Sequence, residues 1–271
     1  MTNETDPDVR AALGGDKEAL ERLVERVQPL VYRLALRFFG NPADAEDAAQ
    51  EALIQIVTRL DRFSGRSAFD TWAYSVATRR FLSLARSGGP TFEEFSEELA
   101  HLPAPGSGPE APADVDAELL AQEVRIGCTL AMLLCLDPGH RMAFILGEIM
   151  GLDQRTGAEV LDISPATFRK RLQRARDGIA GLMAKRCGLF DPANPCRCHK
   201  RIPIATELGR VDPRELVHAT SVEQARRFPR VLDEIRRLDR AERAGALYRA
   251  HPEAHPKADL AGFVRRLFPD Q

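Results

Sequence analysis

The sequence predicts an all-α protein. It reads as two small helical domains joined by a flexible, acidic Pro/Gly-rich linker, the second domain a helix-turn-helix, with a helical C-terminal extension. Three observations carry this. Apolar residues recur at three- and four-residue spacing over most of the 271 residues. Aromatics are only 6% against 44% apolar and 29% charged residues, a balance that suits helices better than a sandwich or barrel. Pro and Gly gather in one stretch that divides the chain. The length fits about two domains, and the apolar content excludes a wholly disordered chain. A net charge of -2 names no partner, so only the distribution of charge informs. No run is long and apolar enough for stable membrane insertion, and the polar start MTNETDPDVR has no signal-peptide pattern. Five cysteines, an odd number in a long chain, argue against a disulfide framework, and a soluble cytoplasmic protein is expected.

In order along the chain, Asp16 is placed to cap a helix with Leu20, Leu23, Val24, Val27, Leu30, Val31, Leu34 and Phe38 on one stripe, ending at Gly40. Asn41-Pro42 opens a second helix whose inward stripe runs from Ala45 to Leu60, with Asp44 and Glu46 beside its positive end. Phe63 to Arg66 is a loop. Ser67-Ala68-Phe69-Asp70 reads as a capping box opening a third helix to about residue 86. Residues 87–113 hold five Pro, four Gly and five Glu with no Lys or Arg, which is linker composition, with one acidic turn around Phe92 to Leu99. As a coil they would span roughly 30 Å. A second helical block, 114–186, follows with a core stripe from Leu119 to Ile149 and a turn at Asp137-Pro138-Gly139. After a Cys-bearing segment, the tail has one stripe of Val222, Ala225, Phe228, Val231, Leu232, Ile235 and Leu238, and a short last helix from Leu260 to Leu267.

The most specific local pattern lies at 154–172. A short helix with inward Ala158, Val160 and Leu161 meets a tight turn at Asp162-Ile163; Ser164 then caps, and Pro165 starts, a second helix. That is the helix-turn-helix layout, whose second helix enters the major groove. Residues 154–176 carry six Arg plus Lys against Glu159 and Asp162. Ser164, Ala166, Thr167, Arg169, Lys170, Arg171 and Arg174 are the DNA-contact candidates; the short residues permit close approach to base edges. The competing reading is a solvated helical hairpin.

Two further segments differ in charge. Residues 44–61 carry five acids against Arg59, and residues 62–86 carry five Arg against Asp70. With the helix-turn-helix, the stretches Asp44 to Leu53 and Phe63 to Ala77 make the chain resemble an extracytoplasmic-function sigma factor, a dissociable promoter-specificity subunit of bacterial RNA polymerase. The resemblance covers about residues 10–186. It implies a non-enzymatic factor that binds core polymerase, through its largest and second-largest subunits, and promoter DNA; an anti-sigma factor is a further partner it allows. It assigns 10–86 to core binding and −10 recognition and melting, 114–186 to −35 recognition, and 87–113 to a linker that threads the polymerase channel or simply spaces the domains. Core-binding candidates are Asp44, Asp47, Gln50, Glu51 and Gln55, although acids here also suit any helix start. The −10 candidates are Arg62, Ser64, Arg66, Ser67, Trp72, Arg79 and Arg80. Ser64 to Ser67 could cradle a flipped base, whereas Phe69 and Trp72 sit on one helix side and favour core packing. The family often has Asn where Thr78 stands.

The segment 187–271 exceeds this resemblance and reads as a regulatory extension. Sigma factors of this kind require no cofactor. Cys187, Cys196, Cys198 and His199 could nevertheless hold zinc, with His218 another fourth ligand; a thiol–disulfide switch or a packing turn are alternatives. Cys128 and Cys135 share an apolar helix face and read as inert thiols. Two other functions compete. A free-standing helix-turn-helix regulator would need no separate polymerase-binding helix, and no common catalytic fingerprint supports an enzyme.

Overall fold

The computed structural model describes residues 6–85, 88–101, 116–260 and 262–263. Among them the α-helices are α1 (Pro7–Leu13), α2 (Lys17–Phe39), α3 (Pro42–Thr58), α4 (Phe69–Leu84), α5 (Phe92–Ala100), α6 (Ala117–Leu134), α7 (Pro138–Phe144), α8 (Gln154–Leu161), α9 (Pro165–Arg186), α10 (Cys198–Glu207), α11 (Val222–Arg237) and α12 (Arg240–Arg249). A π-helical segment, Ile145–Ile149, continues α7. The fold class is all-α. Contacts divide the chain into two units: Met1–Ser87 with Ile145–Arg171 and Ala254–Gln271, and Gly88–Phe144 with Leu172–Glu253.

In the first unit the helix ends follow the sequence signals. Asp16 accepts from the Ala19 amide at 3.0 Å, and Gly40 closes α2 at φ 79°, a left-handed turn that glycine adopts without strain. Asn41 caps α3, accepting from the Asp44 amide at 3.2 Å, and Pro42 fills the first turn. Ala45, Ala48, Ala49, Ala52, Leu53 and Ile56 are buried where α3 packs on α2 and α4. The small side chains let those helix axes approach closely. Phe81 of α4 stacks on Phe38 at 6.3 Å and meets Phe39 edge-on at 5.5 Å. One expectation needs correcting. The residue capping α4 is Ala68, with no side-chain cap bond, because its carbonyl is the first helical acceptor and Ser67 lies one residue too early. Helix α1, which sequence periodicity missed, is held to α2 by ion pairs Arg22–Asp8 at 2.8 Å and Arg26–Asp6 at 2.7 Å.

In the second unit, part of the expected linker is folded. Thr91 and Glu94 form a reciprocal capping box, and α5 buries Phe95 and Leu99. The Phe92 ring leaves no room for a Cβ at Gly178 of α9 (2.7 Å), and Arg186 donates to the Ser96 hydroxyl at 2.9 Å. Residues 102–113 of the expected linker, and the last helix beyond residue 263, lie outside the described residues. The extension packs on α6. Leu120 and Val124 share a cluster with Ile202 and Val211, the Tyr248 hydroxyl donates to the Thr129 carbonyl at 2.8 Å, and Arg125 lies 3.3 Å over the Phe228 ring. Glu123 accepts three backbone N–H groups, from Val217, His218 and Ala219, at 2.9, 2.8 and 2.7 Å.

Candidate nucleic-acid and polymerase interfaces

The helix-turn-helix forms as the sequence predicts. Asp153 caps α8, accepting from the Arg155 and Thr156 amides at 2.8 and 3.1 Å. The Thr156 hydroxyl and amide, with the Arg155 amide, hold its carboxyl below the usual carboxylate range. Gly157 sits against Phe168, whose ring would lie 2.4 Å from an added Cβ, so glycine is what lets the two helices meet. Asp162 takes the left-handed conformation (φ 53°) that turns the chain. The Ser164 hydroxyl accepts from the Thr167 amide at 3.1 Å and bonds the Thr167 hydroxyl at 2.8 Å, which commits Ser164 to capping α9.

Beyond the cap, Ala166, Arg169, Lys170 and Arg174 are exposed and Arg171 is half-buried, while Phe168, Leu172 and Ala175 are buried. Among the described residues, Arg169, Lys170, Arg171 and Arg174 have no ion-pair partner. Four cations therefore stand along the recognition helix outside its apolar stripe, available to phosphates and base edges.

On α3, Asp44, Asp47 and Glu51 are exposed and Gln50 and Gln55 half-buried, opposite the alanine stripe. Asn41 donates to Asp44 at 2.7 Å, and Glu51 accepts from Arg80 Nε at 2.7 Å. Glu51 and Arg80, expected to serve different partners, are thus bonded to each other across α3 and α4. Sequence reasoning also missed that Glu46 accepts from the Lys257 backbone N–H at 2.6 Å.

At the −10 candidates, Gly65 is left-handed (φ 68°) and the Arg66 guanidinium donates to the Ser64 hydroxyl at 3.0 Å. Arg62, Ser64, Arg66 and Arg79 are exposed and Ser67 half-buried. Phe63, Phe69 and Trp72 form an aromatic cluster with centroids 5.6–5.7 Å apart, in which Phe69 is buried and Trp72 keeps a partly exposed edge. Thr78 is fully buried, so the residue type at that position acts on packing and not at the surface.

The cysteine segment is arranged differently from expectation. Cys187, Cys196 and Cys198 line one cavity, but the fourth thiol there is Cys128 of α6; His199 is exposed on the first turn of α10, and His218 lies in the loop held by Glu123. Among the described residues no group of three or more His, Cys, Asp or Glu side chains is arranged to hold a metal ion, and the zinc expectation finds no support.

The capped helix-turn-helix with its cationic face, in a chain that also carries an acidic and a basic helix, defines a DNA-binding protein of the transcription machinery. Residues 23–90 match Sigma-70 region 2, and residues 126–177 match Sigma-70, region 4. The chain is 31% identical over 176 residues to the ECF RNA polymerase sigma factor SigE of Mycolicibacterium smegmatis, covering 63% of this chain and 65% of that one. It is 31% identical over 185 residues to the RNA polymerase sigma-H factor of Pseudomonas aeruginosa, covering 66% and 94%. The solved sigma factor RpoE of Bartonella quintana, in complex with the anti-sigma factor NepR, aligns at TM-score 0.42 and 21% identity over 59% of this chain and 94% of that one. The chain belongs to the extracytoplasmic-function sigma factors, transcription initiation factors that direct RNA polymerase to promoters and are not enzymes. The region 4 match ends at residue 177, so the cysteine segment and the tail lie beyond the matched residues. No described helix is long and apolar enough to cross a membrane.

Proposed function

We propose a division of labour for this sigma factor, acting in the cytoplasm. The face of α3 with Asp44, Asp47, Gln50, Glu51 and Gln55 docks on core polymerase, within a domain at 10–86. Arg62, Ser64, Arg66, Ser67, Trp72, Arg79 and Arg80 hold the −10 element, and taking a base from the stack there costs a few kcal/mol that pocket contacts recover. Arg169, Lys170, Arg171 and Arg174, with Ala166 and Thr167, read the −35 element from a domain at 114–186. The observation that carries this reading is the distribution of charge: exposed acids on α3, exposed Arg62, Arg66 and Arg79 before and on α4, and exposed cations on α9.

The segment 187–271 is proposed as a control module. It is supported by the Lys257 amide on Glu46, which ties the tail to the helix assigned to polymerase. Charge reversal at Asp47, which has no partner among the described residues, tests the docking face. Asp47→Lys is expected to weaken core-polymerase binding about tenfold, or ~1.4 kcal/mol, while leaving promoter-fragment binding unchanged. Equal affinity of variant and wild type for core enzyme would refute the assignment.

A further inference from the structure

Four of the five cysteines meet in one place. Cys128, Cys187, Cys196 and Cys198 line a cavity of about 30 Å³ with Arg125 and Arg201, both buried arginines. Arg125 Nε has no hydrogen-bond partner among the described residues. The site thus combines clustered thiols with two buried guanidiniums.

Two of the thiols are also joined through the backbone. Cys187, just past α9, and Cys196 pair as an isolated parallel bridge. The loop between them is built to keep them there. Asp191 N–H donates to the Cys187 carbonyl at 2.9 Å, the Asn194 side-chain Nδ2 to the Ala184 carbonyl at 2.9 Å, and the Arg197 guanidinium to the carbonyls of Cys196 and Pro192 at 2.9 and 3.0 Å. At Gly188 an added Cβ would lie 2.3 Å from the Cys196 carbonyl oxygen, so the chain closes on itself only with glycine there. Bridged segments run about 4.8 Å apart, inside the roughly 4.4–6.8 Å between Cα atoms that a disulfide spans.

We propose that Cys187 and Cys196 are a peroxide-operated disulfide clasp, fastening the end of α9 to the start of the extension. The Cys196 thiolate attacks one oxygen of hydrogen peroxide; the O–O bond breaks, hydroxide leaves and is protonated to water, and Cys196 becomes a sulfenic acid. The Cys187 thiolate then attacks the Cys196 sulfur, the S–S bond forms, and the S–O bond breaks with loss of a second hydroxide, protonated to water. Two thiols give up two electrons and two protons, and one peroxide is reduced to two waters.

Hydrogen peroxide, a molecule of two oxygens, is small enough for a cavity of about 30 Å³. Chemistry selects the pair. Burial pushes Cys198 up to about 12 and Cys128 well above the ordinary thiol range, which leaves both as unreactive neutral thiols. Burial raises Cys187 as well, but N–H groups of Phe190 and Leu189 and the Arg197 and Arg236 guanidiniums pull against it. Cys196, raised by burial and by Cys187, is the least enclosed of the four.

The test uses the full chain, needs neither polymerase nor DNA, and so stands apart from the functional reading. Trypsin cuts after Arg186 and Arg197 and leaves both cysteines in peptide 187–197. After hydrogen peroxide and blocking of free thiols with iodoacetamide, this peptide is expected unalkylated and two hydrogens lighter than its dithiol form, reverting with dithiothreitol. The peptides holding Cys128, Cys135 and Cys198 stay alkylated. Cys187→Ser is expected to strand Cys196 as a sulfenic acid that dimedone tags, and His199→Ala to change nothing. A disulfide from Cys196 to Cys198 or Cys128, full alkylation of 187–197 after peroxide, or shielding of all four thiols by added zinc would each overturn the proposal.

Discussion

At the scale of single residues, the chemistry turns on where a charge finds its partner. Glu123 is 2% exposed and satisfies three amides of a loop more than ninety positions away, one carboxylate doing what a helix cap does for its own chain. Glu123→Ala strands those donors and is expected to cost roughly 3 kcal/mol, seen as a lower urea midpoint with unchanged slope. Arg169, Lys170, Arg171 and Arg174 of α9 are the opposite case, without an ion-pair partner among the described residues. Arg169→Ala should weaken promoter-fragment binding and reduce the slope of log affinity against log salt by about 0.9, the effect of leaving one phosphate without its cation; an unchanged slope would remove Arg169 from the interface. The Arg169 role follows from its neighbours in sequence. The Glu123 role does not, because nothing near an acid in an apolar helix says which distant loop will supply its donors. The same limit hid Cys128 from the cysteine segment, since 59 positions separate it from Cys187.

Elements were legible where local signals agree. Asp16 with Gly40, and Asn41 with Pro42, mark helix ends that the structure keeps. At Ser164-Pro165 the side-chain cap is kept as well. The signal failed at Ser67, where the capping pattern is one residue out of step with the first helical carbonyl; α5, expected as one acidic turn around Phe92 to Leu99 within a linker, is a capped nine-residue amphipathic helix. Helix α10 was missed because Pro203 reads as a breaker, and α12 because its apolar stripe is short. The tightest element-level constraint is Gly157 against Phe168. Gly157→Ala forces the ring aside and should cost about 1–3 kcal/mol, with promoter binding lost before global unfolding. Phe168→Leu in the same chain makes room and should restore part of it, as thermal melts and binding titrations would record.

Across the whole molecule, charge is sorted by helix while the net stays near zero, so composition alone could not name a partner. The order of the blocks carried the identification, and the extension, beyond the matched residues, had to be read from its packing. If the tail restrains the factor, deleting residues 254–271 removes the Lys257 amide from Glu46 and should raise affinity for core polymerase; unchanged affinity would leave the tail without that role. The central claim, that this chain directs core polymerase to promoters through unlike elements, is tested most directly by transcription with purified core enzyme and a library of genomic promoter fragments, with start sites mapped in the presence and absence of the chain. The expected result is new starts, each preceded by a shared pair of unlike elements, and their loss with Asp47→Lys or with Arg169→Ala. Starts that do not change on adding the chain, together with binding to palindromic sites in the absence of polymerase, would contradict it.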